Sequence, residues 1–399
     1  MKTLDDAPFL DLFSPDFLAD PAPVLEAARS EAWVARTPIG AVALGRPQVQ
    51  LLLSDRRLRS SLKELIQIQG ITDGPIYDAV STSILAVDGD DHQRLRRLVN
   101  RAFTPRAVDG HRDHMRVVLN RLLEPVVRDG RCDFMAAVAE HYPIEVMCHV
   151  LGVPAEDHER FGEWNRAISW ALSLQLFMHI DEVSAGFTHL RGYVAELAEQ
   201  RRRDPQDDMV TAMVQAEDGG DRLTDDEIQM MIAGLLFAGY DTTRNQLGLA
   251  MWIFSDRPDQ WALLAEDESY AVPAVEEVMR FRGAVGMAPR FVTEEFEMDG
   301  FVIPAGTMLA LSTAAANNDP TAFDRPDLFD ITTAREPQLT FGGGPHYCLG
   351  ASLARAEMQE ALPILARAMP NMALDGEPDW RPPMGIFGPE RLPIRFGAG

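Results

Sequence analysis

The ten residues Phe341-Gly342-Gly343-Gly344-Pro345-His346-Tyr347-Cys348-Leu349-Gly350 run straight into an amphipathic helical stretch, Ala351 to Ala368, and constrain the chain more than any other segment. A cysteine at the mouth of a helix lies at the positive end of the helix dipole, which favours thiolate over thiol and makes a ready metal ligand. Glycines at 342, 344 and 350 strip side-chain bulk from both sides of the Cys348 sulfur. Backbone there can lie flat against a large planar cofactor and adopt positive φ. With no second cysteine nearby, zinc and iron–sulfur clusters lack their usual ligand set, whereas haem needs one proximal protein ligand. The competing reading of Cys348 is a buried structural thiol.

The spacing Phe-Gly-x-Gly-x-His-x-Cys-x-Gly, met at Phe341, Gly342, Gly344, His346, Cys348 and Gly350, resembles the haem-binding signature of the cytochrome P450 family. The resemblance implies one haem b per chain, with Cys348 as the iron ligand, and dioxygen as co-substrate.

A chain of 399 residues with 46% hydrophobic content can bury a large core, as one big enzyme fold or as two domains. Its three cysteines, Cys132, Cys148 and Cys348, offer neither a disulfide framework nor a Cys-x-x-Cys site, and a reducing, cytoplasmic setting is expected. Met1 to Asp20 has neither a basic start nor an unbroken apolar core, so no signal peptide or membrane anchor is expected. A net charge of −24 argues against nucleic-acid binding.

In chain order, Pro23 to Glu31 reads as a short helix, Trp33 to Leu44 as a hairpin turning at Thr37-Pro38-Ile39-Gly40, and Pro47 to Ser54 as helical. Ser60 to Val87 loses clear period around Gly70, Gly74 and Pro75. It reads as a mobile surface segment with one or two short helices, either bordering a ligand cavity or forming an ordinary loop. From Asp91 to Val99 a helix places His92 and Arg96 on one face, where two cations can grip an anion. In the resembled family such a helix binds haem propionates. Nearby, Arg94, Arg97, Arg101, Arg106, Arg112 and Arg116 are opposed locally only by Asp109 and Asp113. This Arg94–Arg116 region is expected to dock an acidic electron carrier.

Helical patterns continue through Ala107–Arg128, Met135–Leu151 and Ala155–Leu176, with a stop at Gly152-Val153-Pro154. His141, His149, Cys132 and Cys148 read as packing or surface residues. The large apolar side chains from Trp164 to Gly186, among them Trp170, Leu174, Phe177 and Met178, read as core, with a substrate channel as the alternative. After a turn at Ala216–Gly220, the Thr224/Glu227 capping box opens a long helix to about Ser255. Its middle, Met230 to Phe237, is apolar nearly all round, the mark of a helix buried on every side. Polar residues then intrude at Ala238-Gly239-Tyr240-Asp241-Thr242-Thr243, where a threonine hydroxyl can bond back to the preceding turn and widen a groove.

That hexapeptide resembles the family's Ala/Gly-Gly-x-Asp/Glu-Thr pattern, which implies that Ala238 and Gly239 border the haem, Thr242 stabilises the iron-bound oxygen species and Asp241 supplies protons. Glu277-Val278-Met279-Arg280 matches the family's Glu-x-x-Arg, a structural pair with a partner in the later meander. Asn318 stands where that meander more often has arginine, which puts one contact in question. Strands are expected at Arg290–Thr293, Gly300–Pro304 and Thr307–Leu311. By resemblance, Arg290 and His346 join His92 and Arg96 as propionate ligands, since two buried carboxylates need fixed partners. Leu235, Leu236, Val285, Met287, Ile386 and Phe387 are candidate pocket walls, or else core.

The resemblance covers the whole chain. It implies a mainly α fold with a smaller β-rich portion, drawn from about 33–54 and 288–312 plus the C-terminal segment, in one catalytic domain spanning 1–399. The implied activity is insertion of one oxygen atom into a hydrophobic steroid, terpenoid, fatty-acyl or polyketide substrate by a monomer. Electrons would come from a separate ferredoxin and its NAD(P)H-dependent reductase. Alternatives are a peroxide-dependent peroxygenase of the same fold and a non-catalytic haem-thiolate binding or sensor protein.

Overall fold

The computed structural model describes residues 1–218 and 221–397, so Gly219 and Gly220 of the expected turn lie outside the described residues, as does the side chain of Arg101. One 30-residue helix, Asp225–Phe254, organises the remainder. The expected capping box starts it: Glu227 N–H donates to Thr224 Oγ1 at 3.2 Å, and Thr224 N–H to Glu227 Oε2 at 2.8 Å. Almost every residue from Ile228 to Phe254 is buried, so the helix runs through the core rather than along it. Helices Tyr142–Leu151, His158–Ile168, Ile180–Arg203, Ala271–Phe281 and Ala351–Ala368 pack round it.

The β-rich portion is assembled from distant segments. Five strands lie in the order Val34–Thr37, Gly40–Ala43, Met308–Ser312, Met287–Val292 and Leu58–Ser60. The first two form the expected hairpin, and Gly40 is required at its turn: φ is 147°, and a Cβ there would meet Met308 O at 2.1 Å. Ser60 pairs with Arg290, which fixes Arg290 at one edge of the central cavity. Near the C-terminus, Pro393–Arg395 pairs with both Ala373–Leu374 and Arg131–Asp133. Among the described residues no helix is long and apolar enough to cross a membrane.

Several local expectations are corrected. The 60–87 segment forms two short helices, Leu62–Gln67 and Gly74–Ser81, as expected, but they bury Leu62, Ile66, Ile76, Ala79 and Val80, which removes the ordinary-loop alternative. The 107–128 pattern breaks at Gly110-His111 into Pro105–Asp109 and Arg112–Asp129. Between Ile168 and Ile180 the chain leaves the α-helix, and Phe177 and Met178 stand 56% and 66% exposed, not in the core. His149 does pack, its ring stacked on His114 at 3.7 Å.

Glu277 and Arg280 form a buried two-pronged pair, with Nε–Oε2 at 2.7 Å and Nη2–Oε1 at 2.8 Å. Arg280 also donates to the carbonyls of Asn317, Pro326 and Leu328, which ties the meander to the helix. The meander's cation is Arg335, whose Nε lies 3.2 Å from Glu277 Oε1. Asn318 turns to Ala314 O instead, so its short side chain removes nothing from the pair.

Candidate active site

A cavity of about 1190 Å³ separates the long helix from the Phe341–Gly350 loop. The helix offers Leu235, Ala238, Gly239, Thr242, Thr243 and Gln246, residues three to four apart that share one face. Leu236 lies about 100° round the helix from Leu235, is fully buried and packs into the core, so it is not a cavity wall. Val285, Met287, Ile386 and Phe387 do line the cavity, strapped together by a Val285–Ile386 bridge and a 2.8 Å bond from Phe387 N–H to Ala284 O. Ser60 to Leu62, Leu65, Ile84 and Leu85 close another side. From the 164–186 stretch, Leu172 and Leu174 line the cavity while Trp164 and Trp170 pack against the core.

The cysteine loop is held by Cys348 N–H donating to Phe341 O at 2.9 Å. Gly342 and Gly344 take positive φ, 70° and 61°, whereas Gly350 sits at −83° as the residue capping the following helix. A Cβ on Gly344 would meet Leu53 O at 2.4 Å; one on Gly350 would meet no protein atom within 4 Å. The Cys348 side chain is accessible although it lies deep, because its open side is the cavity. Burial pushes its thiol pKa up, against the opposing pull of the Gly350 N–H, Arg96 and Arg355. Desolvation at the depth of the cavity thus works against the helix-end effect.

At the cavity's polar edge lie His92, Arg96, Arg290 and His346. The His92 and His346 rings are 4.3 Å apart, and burial with the neighbouring cations lowers the His92 pKa to about 4. Asp88, which sequence reasoning missed, binds His346 Nε2 at 2.7 Å and accepts from Ser60 N–H at 3.0 Å. Arg96 and Arg290 form no ion pair with a carboxylate among the described residues. Two guanidiniums, that of Arg290 buried and that of Arg96 partly so, beside two imidazoles make an anion receptor.

On the long helix, Thr242 Oγ1 donates to Ala238 O at 2.7 Å, the back-bond its sequence context implies. Asp241 is placed elsewhere. It is 1% exposed, off the cavity wall, and its Oδ2 accepts from Arg381 Nη1 at 2.8 Å while Oδ1 accepts from Asn245 Nδ2 at 3.0 Å. Burial raises its pKa, opposed by Arg381 and Arg244. A second acid, Glu357, is buried beside Thr243, and desolvation pushes its pKa up to about 8. Its position was readable: Leu353, Glu357 and Ala361 are successive i, i+4 positions on the buried face of their helix.

The arginine-rich surface is less naked than its local sequence implies. Arg94 pairs with Glu227 at 2.5 Å, Arg112 with Asp109 and Glu360 at 2.8 Å each, and Arg116 with Asp113 and Glu360. Glu227 and Glu360 come from distant helices, which a linear charge count cannot see.

Against this geometry, a family model described as Cytochrome P450 matches residues 74–368. The chain belongs to the cytochrome P450 family. It is 38% identical to luteothin monooxygenase of Streptomyces thioluteus over 98% of this chain and 97% of that protein. It is 35% identical to vitamin D(3) 25-hydroxylase of Pseudonocardia autotrophica, over 97% and 96% respectively. The solved structure of the Bacillus subtilis bacillaene polyketide synthase cytochrome P450 PksS matches with a TM-score of 0.88 at 28% identity, over 96% of this chain and 99% of that one. The protein is thus a P450 monooxygenase, an oxidoreductase that incorporates oxygen using haem and dioxygen.

The residues of this P450 fit haem. Its sulfur opens onto the cavity, the glycine-rich loop has the bulk-free backbone a flat group needs, and the anion receptor has two unpaired guanidiniums for two propionates.

Proposed function

We propose that this P450 hydroxylates a hydrophobic small molecule of the polyketide or related natural-product type. The observation that carries the reading is the apolar cavity running between Cys348 and Thr242, walled by Leu65, Leu85, Leu172, Leu174, Ile386 and Phe387. The substrates for which two relatives are named, luteothin and vitamin D(3), support the class.

Haem bound through a cysteine thiolate supplies an iron centre at which dioxygen is reduced and one oxygen atom is delivered to carbon. Cys348 would ligate the iron, and His92, Arg96, Arg290 and His346 would hold the propionates. Ala238 and Gly239 keep the long helix thin where the cofactor's face would lie, with Phe341, Gly342 and Gly350 on the opposite side. Thr242 presents a hydroxyl to the cavity and can pass a proton once it lets go of Ala238 O. Asp241 is the proton source behind it, and must leave Arg381 to serve. The surrounding side chains exclude bulk water.

Electrons come from a separate ferredoxin with its NAD(P)H-dependent reductase, docking near Arg106, Arg112 and Arg116. The protein works in the cytoplasm as a monomer, with residues 1–399 acting as one catalytic unit. The test is the absorption spectrum of dithionite-reduced protein under carbon monoxide, for the parent and for Cys348→His. A strongly red-shifted Soret band lost in the variant supports the reading; well-folded protein without haem rejects it.

A further inference from the structure

The cavity's charges divide into two groups, and neither serves a ligand. Among the described residues, five arginines and no lysine border it: Arg29, Arg96, Arg280, Arg282 and Arg290. Arg96 and Arg290 belong to the anion receptor that the haem propionates would occupy. Arg280 is saturated by Glu277 and three carbonyls, and Arg29 binds Asp319 at 3.1 Å. Arg282 lies against Asp20, with Nη2 3.7 Å from Oδ1, and donates to Phe281 O. Among the described residues, no cation outside the anion receptor is left for a carboxylate or phosphate on the ligand.

The anionic side is equally closed. Asp241 is committed to Arg381 and lies off the cavity wall, and Glu357 is buried with its proton. The other bordering acids, Asp20, Glu26, Asp327 and Glu377, are exposed to solvent. A few residues along the chain from the lining residues Leu65, Leu172 and Leu174 the surface is apolar: Ile68, Phe177 and Met178 are each more than half exposed. Gln69 ties that surface together, donating to Ser173 O at 3.1 Å and accepting from Phe177 N–H at 3.3 Å. A net charge of −24 repels anions at long range before they reach it.

Resting on the monooxygenase reading above, we propose that the cavity selects an electrically neutral, predominantly apolar ligand and rejects free acids, phosphates and ammonium compounds. A buried ionic head group would lose its water with no partner to replace it. Among the substrate classes open to a cavity this apolar, free fatty acids are therefore out, while neutral polyketide, steroid and terpenoid skeletons remain.

The experiment uses the holoenzyme at pH 8 and two matched pairs, one flexible (dodecanoate and dodecanamide) and one rigid (lithocholate and methyl lithocholate). Binding is read by the Soret shift and, independently of the haem, by the ligand-induced rise in melting temperature. The neutral member of at least one pair is expected to bind tenfold or more tightly than its acid, with the gap narrowing as pH falls toward the acid's own pKa. An acid that binds as tightly as its neutral partner overturns the proposal, as does failure of both neutral compounds to bind. If an acid does bind, Arg282→Gln tells whether Arg282 is its partner. Loss of the thiolate-type carbon monoxide spectrum would instead reject the monooxygenase reading itself, so the two failures are distinguishable.

Discussion

Asp241 Oδ2 lies 2.8 Å from Arg381 Nη1, and that bond turns the long helix's acid away from the cavity that its neighbour Thr242 lines. Arg381 is itself held by Glu390 at 2.6 Å and sits over the Trp170 ring at 5.2 Å, so the carboxylate is anchored to the C-terminal segment and to the wall beside Leu172. Removing the guanidinium takes away the largest influence that lowers the Asp241 pKa against burial. In Arg381→Gln the alkaline limb of the pH–rate profile, where the proton source is lost, should therefore move to higher pH. Asp241→Asn should slow product formation by about 10²-fold, a typical loss for a proton-transfer group. A profile that does not move in Arg381→Gln rejects the link.

Thr242→Ala removes the hydroxyl that now bonds Ala238 O. Product per NAD(P)H should fall by about tenfold while peroxide release rises to match. Peroxide and product are assayed in the same reaction, and unchanged coupling would remove Thr242 from proton delivery.

Glu357 keeps its proton in the fold up to about pH 8, whereas the unfolded chain releases it near its ordinary value of 4.5. Between those limits the unfolded state binds fewer protons, so this group makes stability fall as pH rises, at about 1.4 kcal/mol per pH unit. Glu357→Gln abolishes that slope. Urea midpoints at pH 5 and pH 8 should show the variant gaining on the parent by a few kcal/mol at the higher pH.

Arg280→Ala strands the Glu277 carboxylate in the core and frees three meander carbonyls. A loss of about 3–5 kcal/mol is expected. Arg335→Ala should cost less, because Arg280 still neutralises Glu277. Denaturant melts of the two variants provide the comparison.

Gly344→Ala forces a Cβ to within 2.4 Å of Leu53 O at φ 61°. The loop must shift, and the variant should lose haem faster to an apomyoglobin acceptor. Gly350→Ala, with open space and φ −83°, should fold normally, so any loss of haem in it reports crowding of the cofactor's seat.

What the sequence disclosed was local. The capping box at Thr224, the hairpin at Gly40 and the Cys348 loop depend on neighbours within a few residues, and each stands where the pattern put it. Helical phase separated Leu235 from Leu236 by geometry that the apolar run itself concealed, since both are leucines in a helix buried on all sides. The misjudged features were long-range pairings. Arg335 rather than the residue at 318 completes the Glu277 pair, Glu360 and Glu227 dress the arginine surface, and Arg381 claims Asp241 from 140 residues away. None of these leaves a periodic trace.

The strap formed by Ile386, Phe387 and the Pro393–Arg395 strand has a consequence for biogenesis. A ribosome delivers Arg131–Asp133 and the long helix well before it delivers their partners, so the nascent chain must hold a half-built chamber open until residue 395 emerges. The cofactor therefore meets its finished seat only after residue 395 has emerged. Scarcity of haem at that moment would leave an unlined hollow in the centre of a protein whose other parts have already folded.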